Sequence, residues 1–285
     1  MNILIFGHVC LDRNIVETGE SNTWGSPVMF ISTVLQQLPD ASVTIVSNYG
    51  SNYLPYLKDR NIYPEKPSTE STLTYRNFSQ GRERGQKALN RGYSEPVEID
   101  ENLKGKIENA DIIFFAPILP NFSPDYVKKA LSLAKKDVLK ILLPQGYFRD
   151  FDQENNVIFR AFPEALEVLP LMNFVILSDQ DFPNIEEVVQ GWIEKTNVKV
   201  ILTRGEDGAS VISQEGKREI PTTPVPLKEI VDSTGSGDTF SAGFAYQYFL
   251  TKDEVKSVQF AHKLATAKLY FTPENIKFDY PKLLK

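Results

Sequence analysis

The sequence predicts an α/β fold, a doubly wound and mostly parallel sheet carrying a small β-sheet lid. Three observations carry this reading. Short apolar, β-branched segments alternate along the chain with segments of helical apolar spacing. Such alternation implies βαβ units and a parallel sheet covered on both faces. Two polar stretches, 12–24 and 72–92, break the alternation and read as strands of a small inserted sheet, or else as surface loops. With 285 residues and no internal repeat, the chain is expected to form one domain over 1–285, with lid insertions at approximately 12–24 and 72–93.

Taken in order, Asn2 to Phe6 is an apolar strand stopped by Gly7, and Val28 to Leu38 is a helix closed by Pro39. Ser42 to Ser47 is a strand and Ser51 to Lys58 a short helix. Ile112 to Phe115 and Leu139 to Leu143 are strands flanking a helix near Pro124 to Lys135. Phe174 to Leu177 is a strand, Ile185 to Lys195 a helix, and Val198 to Thr203 and Gly208 to Ser213 are strands. Gly237 to Leu250 and Asp253 to Lys268 are helices. Within the lid, Thr72 to Phe78 and Leu89 to Tyr93 read as strands with a basic turn between them.

Composition works mainly by exclusion. Lys and Arg total 31 against 37 Asp and Glu, a net charge of −6, which predicts no nucleic-acid partner. The densest basic stretch, Arg76 to Arg91 with Arg82, Arg84 and Lys87, reads as a solvated hairpin, with a phosphate-contacting loop as the alternative. The longest apolar run, Ile112 to Leu119, is broken by Pro117 and falls short of the roughly 20 residues a membrane span needs. The N-terminus has no basic region or small-residue cleavage site, so it does not read as a signal peptide. One cysteine, Cys10, and two histidines, His8 and His262, leave no disulfide framework and no Cys/His metal cage. These features predict a soluble, cytoplasmic protein without membrane partners.

The chemistry concentrates in Asp232-Ser233-Thr234-Gly235-Ser236-Gly237-Asp238. Its glycines permit a tight turn and close backbone approach to a ligand. The helix that follows opens with free N–H groups and the positive end of its dipole, an anion site. A carboxylate beside phosphate is electrostatically unfavourable unless it takes a proton from an attacking hydroxyl. No Lys-Ser/Thr follows the glycines, so this is not a Walker A loop. On the residues alone, Asp238 is either such a base or a helix-terminal cap after a glycine turn.

This segment resembles the second signature of the ribokinase/PfkB carbohydrate-kinase family, Asp-Thr/Ser-Thr-Gly-Ala-Gly-Asp, with Ser236 in the alanine position. Thr203-Arg-Gly205-Glu-Asp-Gly208 resembles the family's nucleotide-contacting strand-turn-strand, and Gly7 with Asp12 its Gly-x-x-x-x-Asp substrate element. The resemblance implies a ribokinase-like fold and a kinase using ATP and Mg²⁺. It implies Asp238 as general base and Gly235, Ser236 and Gly237 as an anion hole. Thr203, Gly205, Gly208, Asp232 and Thr234 would serve the nucleotide, with a monovalent cation such as K⁺ near Asp232. Asp12 and Gly25 would bind a sugar or polyol, and a homodimer could form through the lid.

The departures concern the acceptor and the metal. The family's paired glycines before the first helix appear here as Gly25-Ser26, which puts a side chain near the substrate. Its Asn-x-x-Glu element appears as Ser178-Asp-Gln-Asp181, so Asp181 would act on Mg²⁺ indirectly and on a shorter arm. Pro144-Gln145-Gly146-Tyr147-Phe148-Arg149 resembles a branch that includes plant myo-inositol kinases, making Gln145 and Arg149 candidates for substrate or phosphate. The rivals to a sugar or polyol kinase are a nucleoside kinase of the same fold and a catalytically silent nucleotide-binding member. His8 and Cys10 read as buried packing residues. Trp24 and Tyr75 read as lid packing or as stacking surfaces for a sugar ring.

Overall fold

The strands split their side chains between two cores, and this division organises the molecule. The computed structural model describes residues 1–16, 19–58, 60–80 and 83–283. The main sheet contains β1 (Asn2–Gly7), β4 (Ser42–Val46), β5 (Asn61–Tyr63), β8 (Ile112–Ala116), β9 (Leu139–Leu142), β12 (Phe174–Ser178), β13 (Lys199–Thr203), β14 (Ala209–Ser213) and β15 (Gly216–Ile220). Its order is β15-β14-β13-β12-β9-β8-β1-β4-β5. Pairing from β13 through β5 is parallel, and β14 and β15 add an antiparallel edge.

Period-two alternation decides which core each side chain enters. Ile3, Ile5, Ile112, Phe114, Phe174 and Ile176 join α1 (Pro27–Leu35), α2 (Leu54–Leu57), α7 (Ser236–Thr251) and α8 (Glu254–Lys268) on one face. Leu4, Phe6, Ile113, Phe115, Val175 and Leu177 face α3 (Glu101–Glu108), α4 (Pro124–Ser132), α5 (Ala165–Val168) and α6 (Ile185–Lys195) on the other. A short α9 (Tyr280–Leu283) ends the described chain. Pro27 and Pro124 occupy first-turn positions, where a missing N–H costs nothing.

The lid is a four-stranded sheet of β2 (Cys10–Val16), β3 (Gly19–Gly25), β6 (Thr74–Gln80) and β7 (Glu83–Leu89). Its order is β3-β2-β6-β7. Cys10, Leu73, Tyr75 and Ala88 pack it onto Ile118 and Leu119. The predicted strand Leu89 to Tyr93 is corrected. The strand runs earlier, from Glu83 to Leu89; Asn90 turns the chain with φ 63°, and Arg91–Tyr93 form a 3₁₀ turn. Gly85 fits that strand because any Cβ there would strike the Phe78 ring. Gly81 and Arg82 of the basic turn lie outside the described residues. A two-stranded hairpin, β10 (Arg149–Phe151) with β11 (Val157–Phe159), follows β9.

Parallel β1, β8, β9, β12 and β13 end along one edge of the sheet. Beyond their carboxyl ends come His8, Pro117, Leu143, Asp179 and Arg204. Strand order reverses direction around β1, with β4 on one side and β8 on the other. Open α/β sheets hold ligands in the crevice at such a switch point.

Candidate active site

Two cavities meet at the N-terminus of α7. One, of about 200 Å³, is lined by Gln145, Asp181, Gly235, Ser236, Gly237 and Asp238 among others. The second, of about 420 Å³, is lined by Gly205, Gly208, Leu227, Ile230, Phe240 and Leu269 among others. They share Ser178, Thr203, Ser233, Ser236 and Gly237. The structure places Thr203, Gly205 and Gly208 around the same cavity as Ser236 and Gly237 of the glycine turn.

The turn has a physical basis residue by residue. Gly235 caps α7 with φ 75°, and a Cβ there would lie 2.2 Å from Phe30 Cδ1 in α1. Only glycine satisfies both the left-handed backbone and the close approach. Gly237 differs, because a Cβ there meets nothing within 4 Å. Gly208 has φ 89°, and a Cβ would press on the Ile220 carbonyl at 2.4 Å. Thr234 N–H donates to Asp232 Oδ1 at 2.6 Å, which sets the turn's first corner.

Asp238 is half-buried in the first turn of α7. Burial, then the neighbouring Asp181 carboxylate, pushes its carboxyl up to about 7, against an opposing pull from Arg149. Burial raises Asp181 as well, although its Oδ2 accepts the Ser178 N–H at 2.8 Å. Asp12 is raised to about 6 by burial, with the Asn77 amide and Arg149 pulling it back. Arg149 therefore lies within electrostatic reach of Asp12, Asp181 and Asp238 together. Its guanidinium sits 5.2 Å from the Tyr75 ring centre, and Nη1 donates to the Ile118 carbonyl at 3.4 Å.

The lid supplies a polar face on the side of Asp12. Gln86 Nε2 donates to Asn77 Oδ1 at 2.7 Å, Asn77 Nδ2 to Asn14 Oδ1 at 2.9 Å, and Asn14 Nδ2 to Thr23 Oγ1 at 3.4 Å. Strand register places Asn14 opposite Asn77, Asn77 opposite Gln86, and Asp12 opposite Thr23. Sequence reasoning missed this ladder. Its only signal was polar residues alternating along strands whose pairing was unknown.

Gly25 abuts the Asp12 carboxylate so closely that a Cβ would overlap Oδ2. Ser26, the N-cap of α1, has φ 99° and ψ 148°, a backbone region almost reserved for glycine. Its Oγ is buried without a hydrogen-bond partner among the described residues. Gly146 brings the backbone after β9 against Pro117, its N–H donating to that carbonyl at 2.9 Å, and so aims Gln145 into the smaller cavity.

Several singled-out residues have structural duties. Trp24 is buried against Phe30 with ring centres 4.9 Å apart, and buried Tyr75 donates its hydroxyl to the Ile118 carbonyl at 2.7 Å. His8 Nδ1 accepts the Ile118 N–H at 3.1 Å, tying β1 to β8, and burial lowers its pKa to about 4, so it stays neutral. Cys10 is buried in the lid core. His262 lines the larger cavity against Phe240, a placement the sequence left open. Among the described residues, no group of three or more His, Cys, Asp or Glu is placed to hold a metal. No described helix is long and apolar enough to cross a membrane.

A model of the pfkB family carbohydrate kinases matches residues 46–270. The chain belongs to that family. As a pfkB-family chain it is 28% identical over 155 residues to a cytidine kinase of Thermococcus kodakarensis, 54% of this chain and 44% of that protein. It is 26% identical over 148 residues to 2-dehydro-3-deoxygluconokinase of Escherichia coli, 49% of this chain and 48% of that protein. The matched segments thus span about half the length of these curated relatives. Among solved structures, a pyrophosphate-dependent kinase in the ribokinase family, complexed with a pyrophosphate analog and myo-inositol, shares the fold. Its TM-score is 0.72 at 17% identity, covering 94% of this chain and 95% of that one.

Proposed function

We propose that this pfkB-family chain transfers the γ-phosphoryl group of ATP to a hydroxyl of a sugar or polyol. One observation carries the reading. Asp238, its carboxyl raised to about 7, shares a cavity with the glycine turn, and that cavity adjoins the larger cleft at Ser236 and Gly237. Asp238 takes the proton of the acceptor hydroxyl, whose oxygen attacks the γ-phosphorus. The bond from that phosphorus to the bridging oxygen breaks, and its electron pair leaves with ADP. The N–H groups of Gly235 and Gly237 hold the transferring phosphoryl, since such chemistry is mostly positioning and charge stabilisation. The Ser236 N–H, expected from the sequence to join them, donates instead to the Ser233 carbonyl at 3.2 Å and braces the turn.

The larger cleft, with Leu227, Ile230, Phe240 and Leu269, suits a purine ring that pyrophosphate would leave unused. Asp232 and Thr234 shape the turn at its mouth, and Thr203, Gly205 and Gly208 form its wall. Asp12, Gln145 and Arg149, with the Asn14–Asn77–Gln86 ladder, offer hydrogen-bond partners to a hydroxyl-rich acceptor, and Gly25 and Ser26 shape its edge. The carboxylates of Asp181 and Asp238 in one cavity fit Mg²⁺ carried largely by phosphate oxygens. When bound, Mg²⁺ neutralises phosphate charge. The likeness to a cytidine kinase keeps a nucleoside acceptor as the second reading.

The test is nucleotide or phosphate release with ATP–Mg²⁺ or pyrophosphate–Mg²⁺ as donor. Acceptors are myo-inositol, ribose, fructose, other hexoses and polyols, adenosine and cytidine. Turnover with ATP on one sugar or polyol is expected. Turnover confined to nucleosides would move the assignment to the second reading, and pyrophosphate as sole donor would overturn the ATP claim.

The raised Asp238 carboxyl also predicts a pH profile. A base works only when deprotonated, so kcat/KM should climb about tenfold per pH unit below the pKa and level off above it. The break should fall near the pKa of about 7. Rates measured on the identified acceptor across that range check this, and a profile flat on the acid side would remove Asp238 as the base.

A further inference from the structure

Lys268, the last residue of α8, is fully buried at 0% exposure. Lysine is almost never fully buried without a partner. Here Nζ donates to the Asp232 main-chain carbonyl at 2.8 Å and lies 3.5 Å from Asp232 Oδ1. Burial lowers the lysine pKa, while Asp232, and Glu274 more weakly, favour the charged ammonium. Burial pushes the Asp232 carboxyl up, but the Thr234 N–H and Lys268 outweigh it and hold the carboxyl below its ordinary value.

The ammonium therefore supports the corner from which the glycine turn starts. Val231 and Asp232 N–H groups donate to the Leu269 carbonyl at 2.8 and 3.3 Å, so the end of α8 grips the same corner through the main chain. From there Asp232 holds Thr234, Gly235 turns with φ 75°, and its carbonyl accepts the Thr239 N–H at 2.9 Å to start α7. A carbonyl and a carboxylate oxygen on one residue are donors suited to a hard cation. Both are already taken by a cation tethered to the chain.

We infer that the Lys268 ammonium stands in place of the monovalent cation that the family resemblance puts beside Asp232, so that phosphoryl transfer needs no K⁺. The residues present do not fit a free ion as well: its oxygens are occupied, and a like charge lies beside them. Lys268 is a positioning residue, acting through Asp232 on the turn. This inference rests on the kinase reading above.

The experiment compares wild type, Lys268→Ala and Lys268→Met in K⁺, NH₄⁺ and choline, reading ADP release on the identified acceptor and the melting temperature of the free protein. Wild type should turn over at the same rate, and melt at the same temperature, in K⁺ as in choline. Lys268→Ala should be slower by about 10-fold or more in choline, since misplacing catalytic groups costs up to about 10²-fold. It should recover in K⁺ or NH₄⁺, which can enter the vacated space. Lys268→Met, which fills that space, should stay slow in all three. Activation or thermal stabilisation of wild type by K⁺ would overturn the inference, whether or not the variants fold. So would a loss in Lys268→Ala that no cation restores. If no acceptor supports turnover, the kinase reading fails; the melting comparison still decides on the lysine, with a K⁺-specific rise expected in Lys268→Ala and not in wild type.

Discussion

Asp238→Asn should lower kcat by about 10²–10⁴, the usual range for loss of a general base. ATP should still bind, because asparagine keeps the shape at the start of α7 and the glycine N–H groups are untouched. The same substitution should stabilise the fold at neutral and alkaline pH. The Asp238 carboxyl is raised from 3.8 to about 7 by burial and by Asp181. The folded protein thus prefers it protonated. That preference contributes stability that is complete below the unfolded-state pKa and is lost as pH rises through the folded-state value. Asparagine removes the penalty, so the variant's advantage should open between acid and neutral pH. It should reach about 2–4 °C in melting temperature, the effect of ~1 kcal/mol in a chain of this size. Steady-state kinetics and melting curves at two pH values check both parts. Near-normal turnover would remove the assignment. A variant less stable than wild type at every pH would mean that the carboxylate holds the fold rather than burdening it.

The second large effect is a contrast between two glycines of one turn. Gly235→Val should abolish turnover and lower stability together. Its φ of 75° is hostile to a β-branched side chain, and a Cβ would collide with Phe30 at 2.2 Å. Left-handed backbone and overpacking together should cost about 2–5 kcal/mol. Gly237→Val should leave the melting temperature near wild type, because nothing lies within 4 Å of a Cβ there. Its side chain would instead occupy the space between the two cavities, lowering ATP affinity and reducing turnover by about 10²–10³, the scale of a lost anion-hole donor. Wild-type kinetics in Gly237→Val would contradict the anion hole.

Local signals made the sheet and the glycine turn legible. Runs such as Asn2 to Phe6 and Phe174 to Leu177 carry their burial in the sequence, and the acids and glycines of 232–238 lie within one turn. The missed elements are short or polar. The helix Glu101–Glu108 buries only Leu103 and Ile107, although Asp100 caps it by accepting the Leu103 N–H at 2.9 Å. That cap, with apolar residues four apart, was a usable signal. Strand Gly216–Ile220 is exposed except at Ile220, so no apolar run marked it.

The site was half legible for a related reason. Asn14, Asn77 and Gln86 meet only through strand register, and Lys268 reaches Asp232 from 36 residues away. Sequence spacing carries neither relation. Ser26 shows the converse. The substitution for glycine was plain in the sequence, but its left-handed backbone and unpartnered hydroxyl were not.

The most direct test of phosphoryl transfer by the Asp238 site is ³¹P NMR of reactions holding ATP, Mg²⁺ and each acceptor, run with wild type and with Asp238→Asn. The predicted result is a new phosphate monoester on a sugar or polyol, formed with ADP in equal amounts by wild type and absent from the variant over the same time. An ester formed as readily by the variant, or ATP that binds and yields no ester with any acceptor, would contradict the account.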